Sequence, residues 1–339
     1  MARLRVLVLM HTDLIPPESF TNEEYLKADW KTEYDIMTTL SELGHEVTPL
    51  GIIGNLERLR EALDEFKPHI VFNLLEEFDG NRHFDQHIVS YLELKKQAYT
   101  GCNPRGLTLA RDKALSKKIL AFHKISVPKF FVFPKNQKIK DSKKFIYPLI
   151  VKSATEESSA GISQASVVNH FEALKERISF IHSHLETDAI AEQYIEGREL
   201  YIGVLGNKRV ITFPVWELEF KNLPKGTKKF ATEKIKWDDD YREKYGINST
   251  KAKGLSVEEE EKLKTLTKKI YKVLGITGYA RLDFRLDNKG KPYFLEANPN
   301  PGIQAGDEFP EAAEAYGLKY QDLISKIVSL GQSWHNTRN

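Results

Sequence analysis

The sequence has one cysteine, Cys102, in 339 residues. An internal disulfide is therefore excluded, and a reducing compartment fits. Nothing near Cys102 in the chain has the character of an activating base, so it reads as a small buried or loop residue. Charge of one sign is not in excess either. Fifty Lys and Arg face 48 Asp and Glu, a net charge of +2, so no bulk field draws the chain to nucleic acid or membrane. Long hydrophobic runs are missing. The apolar stretch from Val6 to Met10 is too short for the core of a signal peptide, and no small-residue cleavage site follows it. No segment approaches the roughly 18 apolar residues that span a bilayer. The expectation is a soluble, cytoplasmic protein. Internal repeats and low-complexity tracts are absent as well.

What is present is an ordinary globular composition, 41% apolar and 29% charged, on a chain long enough to bury a large core and to divide into lobes. The first hundred residues alternate strand and helix. Strands are expected at Leu4 to Met10, Glu46 to Gly51, His69 to Leu75 and Ala98 to Thr100. Helices are expected at Asn22 to Leu43, Leu56 to Phe66 and Phe84 to Leu94. Such alternation implies parallel pairing through crossover helices, an open α/β lobe whose ligands sit beyond the carboxyl ends of the strands.

A second block opens with a helix from Thr108 to His123, then strands at Phe130 to Phe133, Pro148 to Lys152, Ser163 to Val168, Ala189 to Tyr194 and Glu199 to Leu205. Asn169, with Glu172 three residues on, is the expected cap of a helix between the third and fourth. A third block has a strand from Val210 to Phe220 and an irregular stretch from Lys221 to Leu255, the length of a functional lid. A helix capped by Ser256 and Glu259 follows, then a hairpin, and helices from Glu311 to Tyr316 and Tyr320 to Leu330. The expected divisions are 1–107, 108–205 and 206–339.

The hairpin reads ARLDFRLDNKGKPYFLEANPNPG. Ala280, Leu282, Phe284 and Leu286 alternate with Arg281, Asp283, Arg285 and Asp287, the period of a half-buried strand. Across the Asp287 to Gly290 turn, Asp283 is expected opposite Glu296 and Arg281 opposite Asn298. Opposed carboxylates repel unless a cation lies between them. Asp, Glu and Asn oxygens are hard ligands suited to Mg²⁺ or Mn²⁺, which takes its remaining ligands from phosphate. The plain alternative is a solvated face on which Arg281 neutralises one acid. The Asn298-Pro299-Asn300-Pro301-Gly302 exit is rigid, and Gly302 permits close approach of a backbone N–H to a developing oxyanion.

These residues resemble the metal-binding end of the ATP-grasp enzymes, and among them the D-alanine–D-alanine ligase group, over most of residues 100 to 302. The resemblance implies an α/β (α+β) fold: an N-terminal open parallel lobe and two ATP-grasp subdomains that sandwich a nucleotide. It implies ATP and Mg²⁺ (or Mn²⁺), two ions, with Asp283, Glu296 and Asn298 as metal ligands. In YPLIVKSATEESSAG, Lys152 would hold phosphates, and Ser158 and Ser159 would close over the γ-phosphate. Lys113 resembles a nucleotide-contacting lysine. In AEQYIEGREL, Glu192, Gln193, Tyr194 and Ile195 resemble the adenine segment and Glu199 the ribose ligand. Lys244 and Tyr245 resemble the pair on a mobile lid. Arg281 and the N–H of Gly302 would stabilise the acyl phosphate and the tetrahedral intermediate.

The implied activity is a carboxylate–amine ligation through an acyl phosphate, on small-molecule carboxylate and amine substrates, and the implied assembly is a homodimer. Alternatives are a true D-alanine–D-alanine ligase of cell-wall synthesis and a non-catalytic nucleotide-binding regulatory or assembly protein. The substrate half departs from the group's pattern. LVLMHTDLIPPE lacks a glycine turn, with Asp13 or Glu18 available instead. NLLEEFDGNRHFDQH is acidic through Glu76, Glu77 and Asp79. Asp307, followed by Glu308, stands near the place of a serine that holds the acceptor's carboxylate. An aspartate there repels a carboxylate, so the expected acceptor is not a plain D-amino acid.

Overall fold

The computed structural model describes residues 2–156 and 159–338. The chain opens with β1 (Arg5–His11), α1 (Asn22–Lys27), α2 (Lys31–Glu42), β2 (Glu46–Ile52), α3 (Leu56–Phe66), β3 (Ile70–Asn73) and α4 (Asp85–Leu94). The strands pair in parallel in the order β2-β1-β3. Their apolar centres, Val6 to Met10 and Ile70 to Phe72, are fully buried, as a sheet covered on both faces requires. In α3, Asn55 caps the Glu57 N–H at 2.7 Å and Leu59 and Leu63 face the core.

The helix expected from Asn22 to Leu43 is two helices. Ala28 adopts an extended backbone (φ −77°, ψ 146°). Phe20, Tyr25, Trp30 and Tyr34 pack together across the break, with Phe20 4.7 Å from Trp30 and 4.8 Å from Tyr34 between ring centroids. Ala98 to Thr100 contributes only an isolated parallel bridge, Val71 with Tyr99.

Next come α5 (Pro104–Arg111), α6 (Lys113–Phe122), β4 (Phe130–Phe133), β5 (Leu149–Ser153), β6 (Val167–Val168), α7 (Phe171–Phe180) and β7 (Ala189–Gln193). These strands form an antiparallel sheet in the order β4-β7-β5-β6. The helix expected from Thr108 to His123 is also divided. Asp112 leaves the helical region (φ −78°, ψ 99°) and caps α6 through the Leu115 N–H at 2.8 Å. The strand expected from Ser163 is a 3-10 turn and then the short β6. His170, not Asn169, caps α7, its Nδ1 accepting from the Ala173 N–H.

The remainder comprises β8 (Gly197–Gly206), β9 (Val210–Thr212), β10 (Trp216–Phe220), α8 (Glu233–Trp237), α9 (Asp239–Tyr245), β11 (Ile247–Lys251), α10 (Val257–Val273), β12 (Tyr279–Asp287), β13 (Pro292–Pro299), α11 (Glu308–Ala315) and α12 (Tyr320–Arg338). The path β11-β10-β8-β12-β13, with β9 on β8, is antiparallel. The chain therefore passes from one antiparallel sheet to the other between Gln193 and Gly197. The strand expected from Val210 is broken before Trp216. The stretch expected to be irregular holds α8, α9 and β11: polar residues conceal a strand whose partner, β10, supplies the pairing. The Ser256–Glu259 capping box forms, and Leu263, Thr267, Ile270 and Tyr271 seat α10 on the core.

Two asparagines tie the hairpin to the N-terminal lobe. Asn103 caps α5, while its Nδ2 donates to Gly275 O at 2.7 Å and Thr277 Oγ1 at 3.0 Å. Asn300, at φ +51°, accepts from the Cys102 N–H at 2.9 Å. Because Asn103 is buried, Asn103→Ala orphans several groups at once and removes a cap. It is expected to lower stability by about 3 kcal/mol. Urea denaturation checks this; an unchanged midpoint with an unchanged slope refutes it.

Candidate active site

The two antiparallel sheets and the start of α11 enclose a cleft of about 770 Å³. It is lined by Lys152, Ser159, Glu192, Gln193, Tyr194, Ile195, Glu199, Arg281, Asp283, Glu296, Asn298 and Gly302, residues singled out from sequence. Lys113 reaches the same place from α6, its Nζ 3.5 Å from Glu296 Oε2. Ser158 lies outside the described residues. Ser159 sits at φ +59°, and the segment after it is fastened to α8, where Gly161 N–H donates to Glu233 at 2.8 Å.

The hairpin sets the register. Arg281 lies opposite Asn298 and Asp283 opposite Glu296. Towards the turn, however, Phe284 pairs with Phe294, so the ladder shifts by one residue at Leu295. Without that bulge Asp283 would meet Leu295, and Glu296 would project to the wrong face. The Leu295 carbonyl, displaced from the ladder, accepts a hydrogen bond from Lys117 Nζ.

A chain of alternating charges runs through the cleft. Lys117 and Lys152 stand 3.1 and 3.2 Å from Glu192, which is 1% exposed. Arg281 grips Asp283 with two hydrogen bonds of 2.9 Å, and Asn298 Nδ2 donates to Asp283 at 3.0 Å. Arg285 lies 3.4 Å from Glu199, whose other oxygen accepts from Tyr201. Burial would raise the Glu192 carboxyl, but Lys117 and Lys152 outweigh it and hold it below the usual range. Glu296 is likewise held low, against burial, by Lys113, Lys152 and Lys117. Burial drives Lys117 down to about 8 despite Glu192. For Asp283, burial wins over Arg281, and Glu296 and Glu308 add to it, so its carboxyl is pushed up.

Asp283 and Glu296 face each other across the hairpin, each with a cation at its side, Arg281 on Asp283 and Lys113 on Glu296. Among the described residues, no group of three or more His, Cys, Asp or Glu is placed to hold a metal by itself. Two carboxylates and one amide fit a hard ion that draws its other ligands from phosphate.

Lys244 and Tyr245 are not brought in. They end α9, with Lys244 stacked 5.3 Å over Tyr245, and the same segment lines the cleft with Lys236, Trp237 and Arg242 instead. Lys117, Arg285 and Tyr201 belong to the site and were not assigned to it from sequence. The signals were present: Lys117 follows Lys113 by four, on one helix face, and Arg285 continues the alternation of Arg281 and Asp283.

Residues 119–329 match the family model for the D-ala D-ala ligase C-terminus. The chain is 30% identical over 300 residues to a D-alanine–D-alanine ligase of Aquifex aeolicus, covering 88% of this chain and 94% of the relative. It is 31% identical over 258 residues to that of Carboxydothermus hydrogenoformans, covering 73% and 77%. Its fold matches a crystal structure of D-alanine–D-alanine ligase from Bacillus anthracis complexed with ATP, at a TM-score of 0.75 and 20% identity over 99% of this chain and 100% of that one. The fold and the cleft define an ATP-grasp protein. The chain belongs to the D-alanine–D-alanine ligase family and is an ATP-dependent ligase of the kind that forms an amide bond. Ligases of this family use ATP and a divalent metal. No helix among the described residues is long and apolar enough to cross a membrane.

Beside the cleft, Glu33 is 4% exposed, and its carboxyl is raised by burial, then by Glu76, to about 7. A carboxyl whose folded pKa exceeds its unfolded value of 4.5 stabilises the fold fully below pH 4.5 and loses that contribution as pH rises to about 7. Glu33→Gln is therefore expected to match the parent at pH 4.5 and to exceed it above pH 7, by up to ~3 kcal/mol. Denaturation at both ends of this window checks it; a constant difference refutes it.

Proposed function

We propose that the cleft binds ATP with its phosphates over Lys113 and Lys152, its adenine along Gln193, Tyr194 and Ile195, and its ribose at Glu199. Glu192 is better suited to positioning than to adenine contact, because its carboxylate is committed to Lys117 and Lys152. Asp283, Glu296 and Asn298 would hold the divalent ions, two Mg²⁺ on this reading. When bound, such ions neutralise phosphate charge and polarise the γ-phosphoryl group. The observation that carries the proposal is the opposed Asp283–Glu296 pair, in one cleft with Lys152 and beside the lysine-held Glu192.

The chemistry asks little of the protein beyond position and charge. A substrate carboxylate oxygen attacks the γ-phosphorus; the bond to the β–γ bridging oxygen breaks, and ADP departs. The amine nitrogen then attacks the acyl carbon, the carbon–oxygen bond to phosphate breaks, and phosphate leaves. From an ammonium and a carboxylate the sum is an amide, ADP, phosphate and one proton. Lys113 and Lys152 would offset the charge carried between the nucleotide and the transferred phosphoryl group. Arg281, oriented by its bidentate grip on Asp283, and the Gly302 N–H face the developing oxyanion. Ser159 would cover the γ-phosphate, and Lys236 and Arg242 supply the positive charge expected of Lys244. The relatives' names make D-alanine the reference carboxylate.

Hydroxylamine tests this without knowledge of the acceptor, since it converts an acyl phosphate to a hydroxamate. With Mg-ATP and a pool of D- and L-amino acids, a hydroxamate is expected. Lys152→Ala should weaken ATP binding by about 100-fold. Asp283→Asn should still bind nucleotide and form no hydroxamate. Phosphate release that is independent of any carboxylate, or an unimpaired Asp283→Asn, refutes the reading.

A further inference from the structure

Arg281 stands between the lysines gathered about Glu192 and Glu296 and the acids Glu76, Asp307 and Glu308 that line the cleft beyond Gly302. Its place on β12 leaves its long side chain short of support. Its cross-strand partner on β13 is Asn298; on β8 it is Gly203. A glycine offers no side chain to pack against, and none fits there: a Cβ on Gly203 would stand 2.5 Å from the Phe213 ring and 3.2 Å from that of Phe309. The neighbour on β8 that does reach Arg281 is the diagonal one, Tyr201, which lies opposite Asp283. The guanidinium carbon sits over the Tyr201 ring, 4.7 Å from its centroid.

Tyr201 is itself fixed at both ends. Its backbone belongs to the β8–β12 ladder, its side chain is buried, and its hydroxyl donates to Glu199 at 3.0 Å. The other oxygen of Glu199 lies 3.4 Å from Arg285 and accepts the Ala231 N–H at 3.3 Å. Burial, and after it the charge of Glu199, pushes the phenol well above its usual range, so the hydroxyl remains a donor at any ordinary pH. The ring is therefore held in one orientation. Asp283 bonds Nε and Nη2 of Arg281 and sets where the guanidinium lies. A planar cation held along one edge can still tilt about that edge; a ring beneath its face removes the tilt.

We propose that Tyr201 is a positioning residue of the ligase reaction: its ring fixes the plane of the Arg281 guanidinium, and so the direction in which that cation meets the developing oxyanion. The inference rests on the ligase reading, which puts Arg281 at the acyl centre, and adds the group on which Arg281 depends. It also joins the two halves of the site, because the same phenol anchors Glu199, the residue assigned to ribose.

Tyr201→Phe and Tyr201→Leu both lose the hydroxyl, so the difference between them reports the ring alone. With Mg-ATP, the amino-acid pool and hydroxylamine, the hydroxamate rate at saturating nucleotide is expected to be roughly 30-fold lower in Tyr201→Leu than in Tyr201→Phe. Calorimetry with Mg²⁺ and a non-hydrolysable ATP analogue should give the two variants the same nucleotide affinity, which a ring of merely structural importance would not. Arg281→Lys keeps the charge and loses the plane. In that background the ratio between the Phe and Leu variants should shrink to less than about threefold, since the ring has no guanidinium left to orient. Equal rates in Tyr201→Leu and Tyr201→Phe overturn the proposal. So does a ratio that persists undiminished in Arg281→Lys. A nucleotide affinity that falls together with the rate in Tyr201→Leu, and again in the longer Tyr201→Met, makes the ring structural and overturns it too. All three outcomes leave the ligase standing, because the parent still forms hydroxamate. A parent that forms none removes the ligase, and the positioning role with it.

Discussion

The structure depends on one electrostatic constraint: ionised groups taken out of water must be matched within a few ångströms. Glu192 is almost completely enclosed, and an isolated carboxylate there would cost several kcal/mol. Lys117 and Lys152 approach it from α6 and β5, so a single anion fixes two cations from different elements. The same two lysines, with Lys113, act on Glu296 across the cleft. Removing any member would leave its partners buried and unmatched, which is more damaging than the absence of the pair itself. The network is therefore less a source of stability than a device for holding charges where water cannot screen them.

The bulge at Leu295 belongs to this constraint. A hairpin of strict alternation would put Asp283 opposite an apolar residue, since the turn pairs Phe284 with Phe294. One extra residue in β13 realigns the polar faces and strands one backbone carbonyl in the interior. Lys117 occupies that carbonyl while also facing Glu192. Register, backbone satisfaction and charge balance thus meet on one lysine. Its depressed pKa, brought about by burial against the pull of Glu192, reflects how far it has been removed from solvent.

Much of this was legible in the chain. The alternation from Ala280 to Asp287 foretold the buried face of β12, and the opposition of Asp283 to Glu296 was expected, although the bulge that achieves it was not. Bulges leave no periodic trace when the flanking residues are apolar on both sides, as Phe294 and Leu295 are. Helix interruptions at Ala28 and Asp112 were missed because propensity continues through both; an aromatic cluster decides the first and a side-chain cap the second. The strand β11 was hidden because Asn248, Ser249 and Thr250 are polar, and only the ladder to β10 makes that segment extended. Lys244 and Tyr245 matched a short pattern in a lysine-dense stretch, but helical periodicity turns Arg242, not Lys244, to the cleft.

The polarity of the cleft follows from where its walls come from. The lysines project from α6 and β5, elements whose backbones are locked into the core by Asp112, Ala154 and Leu120. The acids at the far end project from the β3–α4 connection and from the first turn of α11. Acidic residues at a helix start are favoured by the helix dipole, so Asp307 and Glu308 can be retained there at little cost to the fold even though they crowd one another. Arg281 sits between the two groups and is shared by them, to Asp283 on one side and Glu308 on the other.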